Sequence, residues 1–392
     1  MILEGFFGKS SALVGRRDQA VAKRNASQQT LSSQAAPQPS AGAKFVYCPN
    51  AACRAAYRST PESAGRTASC RKCGTRFRLR KVAATNPAIP NDLAPPGPQL
   101  EALLRCHTQP VRALALLAKT KESLSVGWDG ALRRWDLATQ RELHSWASGD
   151  AALNALAVSR NHRIAVTGGS DGLVRVWDVD TQTCRHAFEG HQGVIIGVAI
   201  CEDGQQAVSV GHDRVGRVWN LASGNCVAEL VGHANRIKSV TLCEVPHLAA
   251  TASWDRTVRI WNTRTGRCLQ VLEGHRGQLF AVALSHDGRL ALSAGADRTI
   301  RVWDLQQRNV VQTLVGHTGA VHALAISTDK RWAISGGADS ALRLWDLSTG
   351  KCAAVLAGQK SHVLSVACSA DLGRILSGGA DGSIGVWRSR IS

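Results

Sequence analysis

The sequence predicts an all-β repeat protein, because one tryptophan position recurs at a fixed spacing and polar residues recur with it. Tryptophan occurs every 42 residues, seven times between positions 135 and 387, and such a period is the signature of a repeat architecture. An aspartate lies six residues before each of these tryptophans, and a serine or threonine lies four residues before the aspartate. In five units a histidine lies 28 residues before the tryptophan; these are His107, His191, His233, His275 and His317.

Each unit contains four short segments that are typical of β-strands. In the fifth unit these segments are 278–285, 289–294, 299–304 and 310–314, with alternating apolar residues and turn residues between them. Four such strands in each of seven units predict a seven-bladed β-propeller.

The opening and closing residues of the units carry a family resemblance. Gly274-His275 opens the fifth unit and Trp303-Asp304 closes its third strand, and the series over residues 99–392 resembles the WD-repeat family. The resemblance implies a hydrogen-bonded chain of His275, Ser293, Asp297 and Trp303 inside the blade, with the other four histidines in equivalent networks. A closed network satisfies groups that would each cost roughly 1 to 3 kcal/mol if buried alone.

Serine, histidine and aspartate together also suggest a hydrolase. Catalysis needs one exposed set, whereas here the set repeats from unit to unit, which favours a structural role and no enzymatic activity. Gly149 and Gln359 replace the histidine in the second and seventh units, so the networks there are predicted to be incomplete.

The ring is predicted to close through its first segment. The chain stops just after the third strand of the last unit, while residues 100–104 align by the 42-residue period with the fourth strand at 352–356. Pairing the beginning of the propeller with its end would remove open sheet edges.

The residues before the propeller divide into three parts. Residues 1–43, rich in Ala, Ser and Gln, are predicted to form a disordered basic arm. Residues 83–98 hold five of the eleven prolines and are predicted to be an extended linker.

Charged residues interrupt any signal-peptide core, and no run approaches about 18 apolar residues. We therefore expect a soluble cytoplasmic protein with no membrane association.

Between arm and linker, residues 44–82 contain two pairs of cysteines, which are Cys48, Cys53, Cys70 and Cys73. Two paired-thiol turns at this separation suit tetrahedral zinc, and four protein ligands leave no position for a catalytic water. The stretch resembles a small bacterial zinc-ribbon family, although four residues rather than two separate the first pair. The expected cofactor is one structural Zn(II); free thiols are the alternative.

Charge leaves a role in nucleic-acid binding open. The net charge is +18, and residues 1–96 contribute 15 Lys/Arg against 4 Asp/Glu. Basic residues around Phe77 in the predicted ribbon could contact phosphates. No base-reading motif accompanies them, so a solvated basic face is the favoured interpretation and nucleic-acid binding is the alternative.

Positions that differ among the seven units are not dictated by the fold, so they predict a partner-binding surface. In the WD-repeat family such positions surround the mouth of the central channel. Aromatic residues and arginine, which protein interfaces favour, are frequent at these positions. The candidates are Arg112, Trp128, His212, Arg236, Lys238, Trp254 and Phe280. The alternative is that the two tryptophans fold back on their own blades.

The sequence therefore predicts a non-catalytic interaction scaffold that recognises a protein or peptide of acidic character, with the zinc ribbon as a second contact. The alternative is a nucleic-acid-associated regulator that binds DNA or RNA through the basic ribbon. The identity of the partner is not encoded in these patterns.

Overall fold

The computed structural model describes the backbone of residues 44–47, 56–59, 67–69 and 76–78, and residues 98–105, 107–117, 121–243 and 247–389 in full. These residues form β-strands, and none of them lies in a helix. The chain divides into two compact units, Met1–Pro90 and Asn91–Ser392.

The first unit contains two short antiparallel pairs of strands. Strand β1 (Lys44–Tyr47) pairs with β2 (Ala56–Ser59), and β3 (Thr67–Ser69) pairs with β4 (Arg76–Arg78). Each pair is therefore a hairpin whose connecting segment carries one of the two cysteine pairs noted above.

The second unit consists of seven four-stranded antiparallel sheets, which we number as blades 1 to 7. Six of them are formed by four consecutive strands. Blades 1 to 3 comprise β6 (Val111–Leu117), β7 (Glu122–Gly127), β8 (Ala131–Asp136) and β9 (Arg141–Ala147); β10 (Leu153–Val158), β11 (Ile164–Gly169), β12 (Val174–Asp178) and β13 (Thr183–Phe188); and β14 (Ile195–Ile200), β15 (Gln206–Gly211), β16 (Val215–Asn220) and β17 (Cys226–Val231). Blades 4 to 6 comprise β18 (Ile237–Cys243), β19 (Leu248–Ser253), β20 (Val258–Asn262) and β21 (Cys268–Leu272); β22 (Leu279–Leu284), β23 (Leu290–Gly295), β24 (Thr299–Asp304) and β25 (Asn309–Val315); and β26 (Val321–Ile326), β27 (Trp332–Gly337), β28 (Leu342–Asp346) and β29 (Lys351–Leu356).

Blade 7 closes the ring with a strand from the other end of the propeller. Its first three strands are β30 (Val363–Cys368), β31 (Arg374–Gly379) and β32 (Ser383–Arg388), and its fourth is β5 (Gln99–Arg105). The β32–β5 register runs from Ser383↔Arg105 to Arg388↔Gln99. This pairing confirms the closure predicted from the 42-residue period.

Burial differs between the second and fourth strands of each blade. The second strands are buried along almost their whole length; β19, for example, is buried at every position. The fourth strands alternate between exposed and less exposed residues, as in β25. The second strand lies between two neighbouring blades, which explains its nearly continuous small and apolar sequence, whereas the fourth faces solvent on one side.

The second strand of a blade packs directly against the first strand of the next blade. A Cβ at Gly168 would collide with the side chain of Ile195 in the next blade, and one at Gly336 would collide with Val363. The recurring tryptophans are buried in these interfaces, with exposed fractions between 0 and 6%. One core cluster joins Leu104 and Val386 of blade 7 to Val111 and Trp135 of blade 1, so the closing strand is part of a hydrophobic core.

Candidate functional site

Each repeated polar set forms a buried chain of hydrogen bonds within its own blade. In blade 5, Trp303 Nε1 donates to Ser293 Oγ at 2.7 Å, His275 Nε2 lies 2.8 Å from the same oxygen, and His275 Nδ1 lies 2.7 Å from Asp297. Since the indole N–H can only donate, the serine hydroxyl accepts it and donates its own proton to Nε2. His275 then donates from Nδ1 to the aspartate. Equivalent histidine bonds occur at His107, His191, His233 and His317.

These networks have the composition of a hydrolytic triad but not its accessibility. Ser293 is 0% exposed and His275 is 6% exposed, so no substrate can reach the hydroxyl. Burial opposes ionisation of Asp297, yet hydrogen bonds from His275 and Thr299 outweigh it and hold the pKa of this carboxyl well below its usual range. The network therefore supplies a fixed, ionised acceptor that holds the turn between the second and third strands.

The two blades without a histidine behave differently from each other. In blade 2, Asp171 is bound by Arg175 at 2.6 Å and no side chain takes the histidine's place at Gly149. In blade 7, Ser377 donates to Gln359 at 3.0 Å, Gln359 donates to Ser383 at 2.7 Å, and Ser383 donates to Asp381 at 2.6 Å. The prediction of an incomplete network is therefore wrong for blade 7, because the glutamine amide and an added hydroxyl replace the imidazole.

The partner-binding candidates occupy two adjacent sets of positions at one end of the propeller. In every blade the residue before the turn aspartate donates its backbone N–H to the carbonyl of a residue just before the first strand, at 2.8 to 3.2 Å. In blade 4 this bond joins Trp254 to Arg236, and in blade 3 it joins His212 to Val194. The bond brings Trp128, His212, Arg236 and Trp254 to the same end of their blades.

Three consecutive residues from the first strand of each blade line a cavity of about 200 Å³ at the centre of the ring. The first of the three lies at an equivalent position in every blade; these residues are Arg112, Asn154, Ile196, Lys238, Phe280, His322 and Leu364. We call this set, with the cavity it encloses, the channel mouth. Arg112, Lys238 and Phe280 were predicted from the sequence. His322 and Asn154 were missed as candidates, although the period that selects Arg112 also selects them.

The two tryptophans before the turn differ in their hydrogen bonding. Trp128 is 45% exposed and its Nε1 donates to Asn154 in the next blade at 2.9 Å. Trp254 is half-buried, and its Nε1 is buried without a hydrogen-bond partner among the described residues. The reason is positional: Phe280 occupies in blade 5 the place that Asn154 occupies in blade 2. The guanidinium groups of Arg112 and Arg236 lie over Trp128 and Trp254 at 5.3 and 5.2 Å from the ring centres.

The channel mouth concentrates positive charge in a partly buried place. Burial, together with the nearby charge of Arg112, lowers the pKa of Lys238 to about 7. Burial also lowers the pKa of His322 to about 4, with further contributions from Lys238, Arg112 and His362. Within the described part of the chain, neither Arg112 nor Lys238 forms a salt bridge, and Arg112 Nε is buried without an acceptor.

The predicted zinc ligands Cys48, Cys53, Cys70 and Cys73 lie outside the described residues. Within the described residues no group of three or more His, Cys, Asp or Glu side chains is arranged to hold a metal ion. The predicted structural zinc site therefore stays a prediction.

The fold and its buried networks define a seven-bladed β-propeller built from repeats with a shared polar core. Comparison with known families agrees: the family described as WD domain, G-beta repeat (WD40) matches six segments that together cover more than half of the chain. They are residues 140–178, 182–220, 224–262, 266–304, 308–346 and 350–388. The chain belongs to the WD40 repeat family. A comparison with curated proteins found no match.

The matched segments run from the fourth strand of one blade through the third strand of the next. The inner strands of blade 1 lie outside them. WD40 propellers generally serve as protein-interaction scaffolds. Among the residues that the structure describes, no helix has the length and apolar character needed to cross a membrane.

Proposed function

We propose that this protein is a non-catalytic interaction scaffold whose channel mouth and adjoining tryptophans bind a segment of a protein partner. The observation that carries the proposal is the unsatisfied donor of Trp254, set beside Arg236 and the channel mouth. A buried donor without an acceptor costs about 1 to 3 kcal/mol, and a bound partner that supplies one recovers this energy. Exposed or half-buried tryptophan beside arginine is also the composition of interface hot spots.

The partner is proposed to be acidic. Arg112, Arg236 and Lys238 lie together at this end of the propeller, and the described residues provide no salt bridge for any of the three. Charges of one sign at an interface raise the association rate of an oppositely charged partner and reduce that of others.

The predicted ribbon at residues 44–82 is proposed to be a structural zinc module that adds a second contact. The spacing of the two cysteine pairs and the resemblance of residues 44–82 to a zinc-ribbon family support this part of the proposal. Binding of DNA or RNA by the ribbon remains the alternative that the experiment below separates from protein recognition.

The test is affinity purification with the full chain from a lysate of cells that produce it, with and without nuclease. Trp254→Ala and Arg236→Ala are compared with Val315→Ala, a control on the outer strand where the side chain is 72% exposed. We expect wild type and Val315→Ala to retain a protein from the lysate that neither Trp254→Ala nor Arg236→Ala retains. Nuclease treatment should not release this protein. Retention by all variants, or loss on nuclease treatment, would contradict the proposal.

A further inference from the structure

The three basic residues of the channel mouth surround the channel axis. Arg112 lies on β6 of blade 1, Lys238 on β18 of blade 4 and His322 on β26 of blade 6. Around a ring of seven they are separated by three, two and two blades. A group placed on the axis is therefore approached by basic side chains from all sides.

The side chains that line the cavity include hydrogen-bond donors but no carboxylate. None of the described side chains that line it is Asp or Glu. Ser365, which also lines it and is 8% exposed, has a buried Oγ without a hydrogen-bond partner, as does Arg112 at Nε. No carboxylate in the described part of the propeller pairs with Arg112 or Lys238, so an anion entering from outside would meet unpaired donors.

We propose that the channel mouth is a carboxylate-binding subsite, in which Arg112, Lys238 and His322 hold the carboxylate of an acidic side chain that the protein partner inserts along the channel axis. This inference rests on the proposed function and assigns a chemical group to the centre of that site. The carboxylate accepts from the guanidinium and the ammonium, and charge-assisted bonds of this kind are the stronger class.

Two features favour a carboxylate on a side chain over a free phosphate. Ile196, Phe280 and Leu364 form the apolar part of the ring, with Asn154 as its seventh member, and apolar residues suit the methylene groups of a glutamate. In addition, only Arg112 is fully charged at neutral pH, since Lys238 titrates near pH 7 and His322 is neutral. The site then carries between one and two positive charges, which matches one carboxylate better than a phosphate dianion.

Binding should respond to pH in a defined direction. The charged or titratable groups facing the site are Arg112, Lys238, His322 and His362, with Arg236 and His212 nearby. A bound carboxylate favours the protonated form of Lys238 and raises its pKa. Affinity should therefore fall as the pH rises through and above 7, with protons taken up on binding, and should be nearly constant around pH 6, where Lys238 is charged and the ligand's carboxyl is still ionised.

The experiment uses the full chain with two probes, acetyl-Ala-Glu-Ala-amide and its Gln analogue, measured by titration calorimetry at constant ionic strength. We expect the Glu peptide to bind at least about tenfold more tightly than the Gln peptide, and Lys238→Met to lose about tenfold. Lys351→Met removes the same charge from the exposed outer strand β29 and should bind like wild type. Inorganic phosphate should bind more weakly than the Glu peptide.

No binding of the Glu peptide, equal binding of the Gln peptide, equal binding by Lys238→Met, or tighter binding of phosphate would each overturn the proposal. The purification described above separates this inference from the proposed function. A partner lost with Trp254→Ala but kept by Lys238→Met leaves the binding face in place and removes the carboxylate subsite. A partner kept by both variants removes both.

Discussion

Replacing Lys238 by methionine should make the protein more stable, because the ammonium is partly buried without a counter-charge. Methionine keeps most of the side chain's volume and removes the charge. The drop in pKa from 10.5 to about 7 corresponds to roughly 4 to 5 kcal/mol for the charged form. Lys238 keeps some exposure at the channel mouth, so solvent screening reduces this cost. We expect Lys238→Met to gain about 2 to 4 kcal/mol in unfolding free energy at pH 6.

The gain should shrink at higher pH, and the sign follows from proton binding. The unfolded chain keeps the proton on this lysine up to about pH 10.5, whereas the folded chain releases it above about pH 7. Between these values the unfolded state binds more protons, so the stability of wild type rises with pH by about 1 kcal/mol per pH unit relative to the variant. The penalty is complete below pH 7 and disappears above pH 10.5.

Urea unfolding followed by tryptophan fluorescence at pH 6, 7.5 and 9 measures this difference. Lys351→Met provides the control, since its side chain lies on the exposed outer strand, and it should show neither the gain nor the pH dependence. A Lys238→Met variant that is less stable than wild type, or a difference that stays constant with pH, would show instead that the ammonium is solvated or paired in the folded protein.

Three further predictions concern closure, the tryptophans and the metal. Deleting residues 99–106 should lower the melting temperature of the whole propeller, because β32 loses its partner strand β5. Deleting residues 1–83 should leave the melting temperature unchanged. Equal melting temperatures of the two deletion variants would show that the ring closes in another way. Trp261→Ala should cost about 3 to 5 kcal/mol of folding, since this indole is 0% exposed and donates to Thr251. Trp254→Ala should leave stability nearly unchanged and weaken partner binding by about 1 to 4 kcal/mol. If denaturant titrations show that Trp254→Ala and Trp261→Ala lose the same unfolding free energy, Trp254 has a structural role within its blade. A fragment of residues 44–81 should bind one zinc ion and unfold when the metal is chelated. Cys70→Ser in the full chain should release the metal without changing the melting temperature of the propeller. Elemental analysis that finds no zinc in the reduced protein would contradict this prediction.

The period of 42 residues was enough to predict the blades and their closure. All seven blades pack in the same way, so a residue type that recurs at one position of the repeat lies in the same environment in each blade. The strand at 299–304 was predicted with the bounds that the structure gives, and the closing strand followed from aligning residues 100–104 with 352–356.

Several details of the polar networks and of the candidate site depend on particular pairs of residues, which the period does not reveal. The hydrogen-bond chain from Gln359 to Asp381 needs Ser383 as its bridge, and no other blade has both a glutamine and a serine at these two positions. The unsatisfied N–H of Trp254 follows from Phe280 in the next blade. The low pKa of Lys238 requires its burial beside Arg112, two residues that lie 126 positions apart in the sequence.

Site-specific photo-crosslinking measures directly whether the channel end of the propeller binds an acidic protein segment. A benzophenone side chain at Ala296, the exposed position of blade 5 equivalent to Trp254, is compared with one at Val315 on the outer strand. Mass spectrometry then identifies the crosslinked segment of the partner. We expect crosslinks from position 296 to a segment that contains Asp or Glu, and none to that segment from position 315. Crosslinks to the partner from position 315 alone, or from position 296 to a segment without acidic residues, would contradict it.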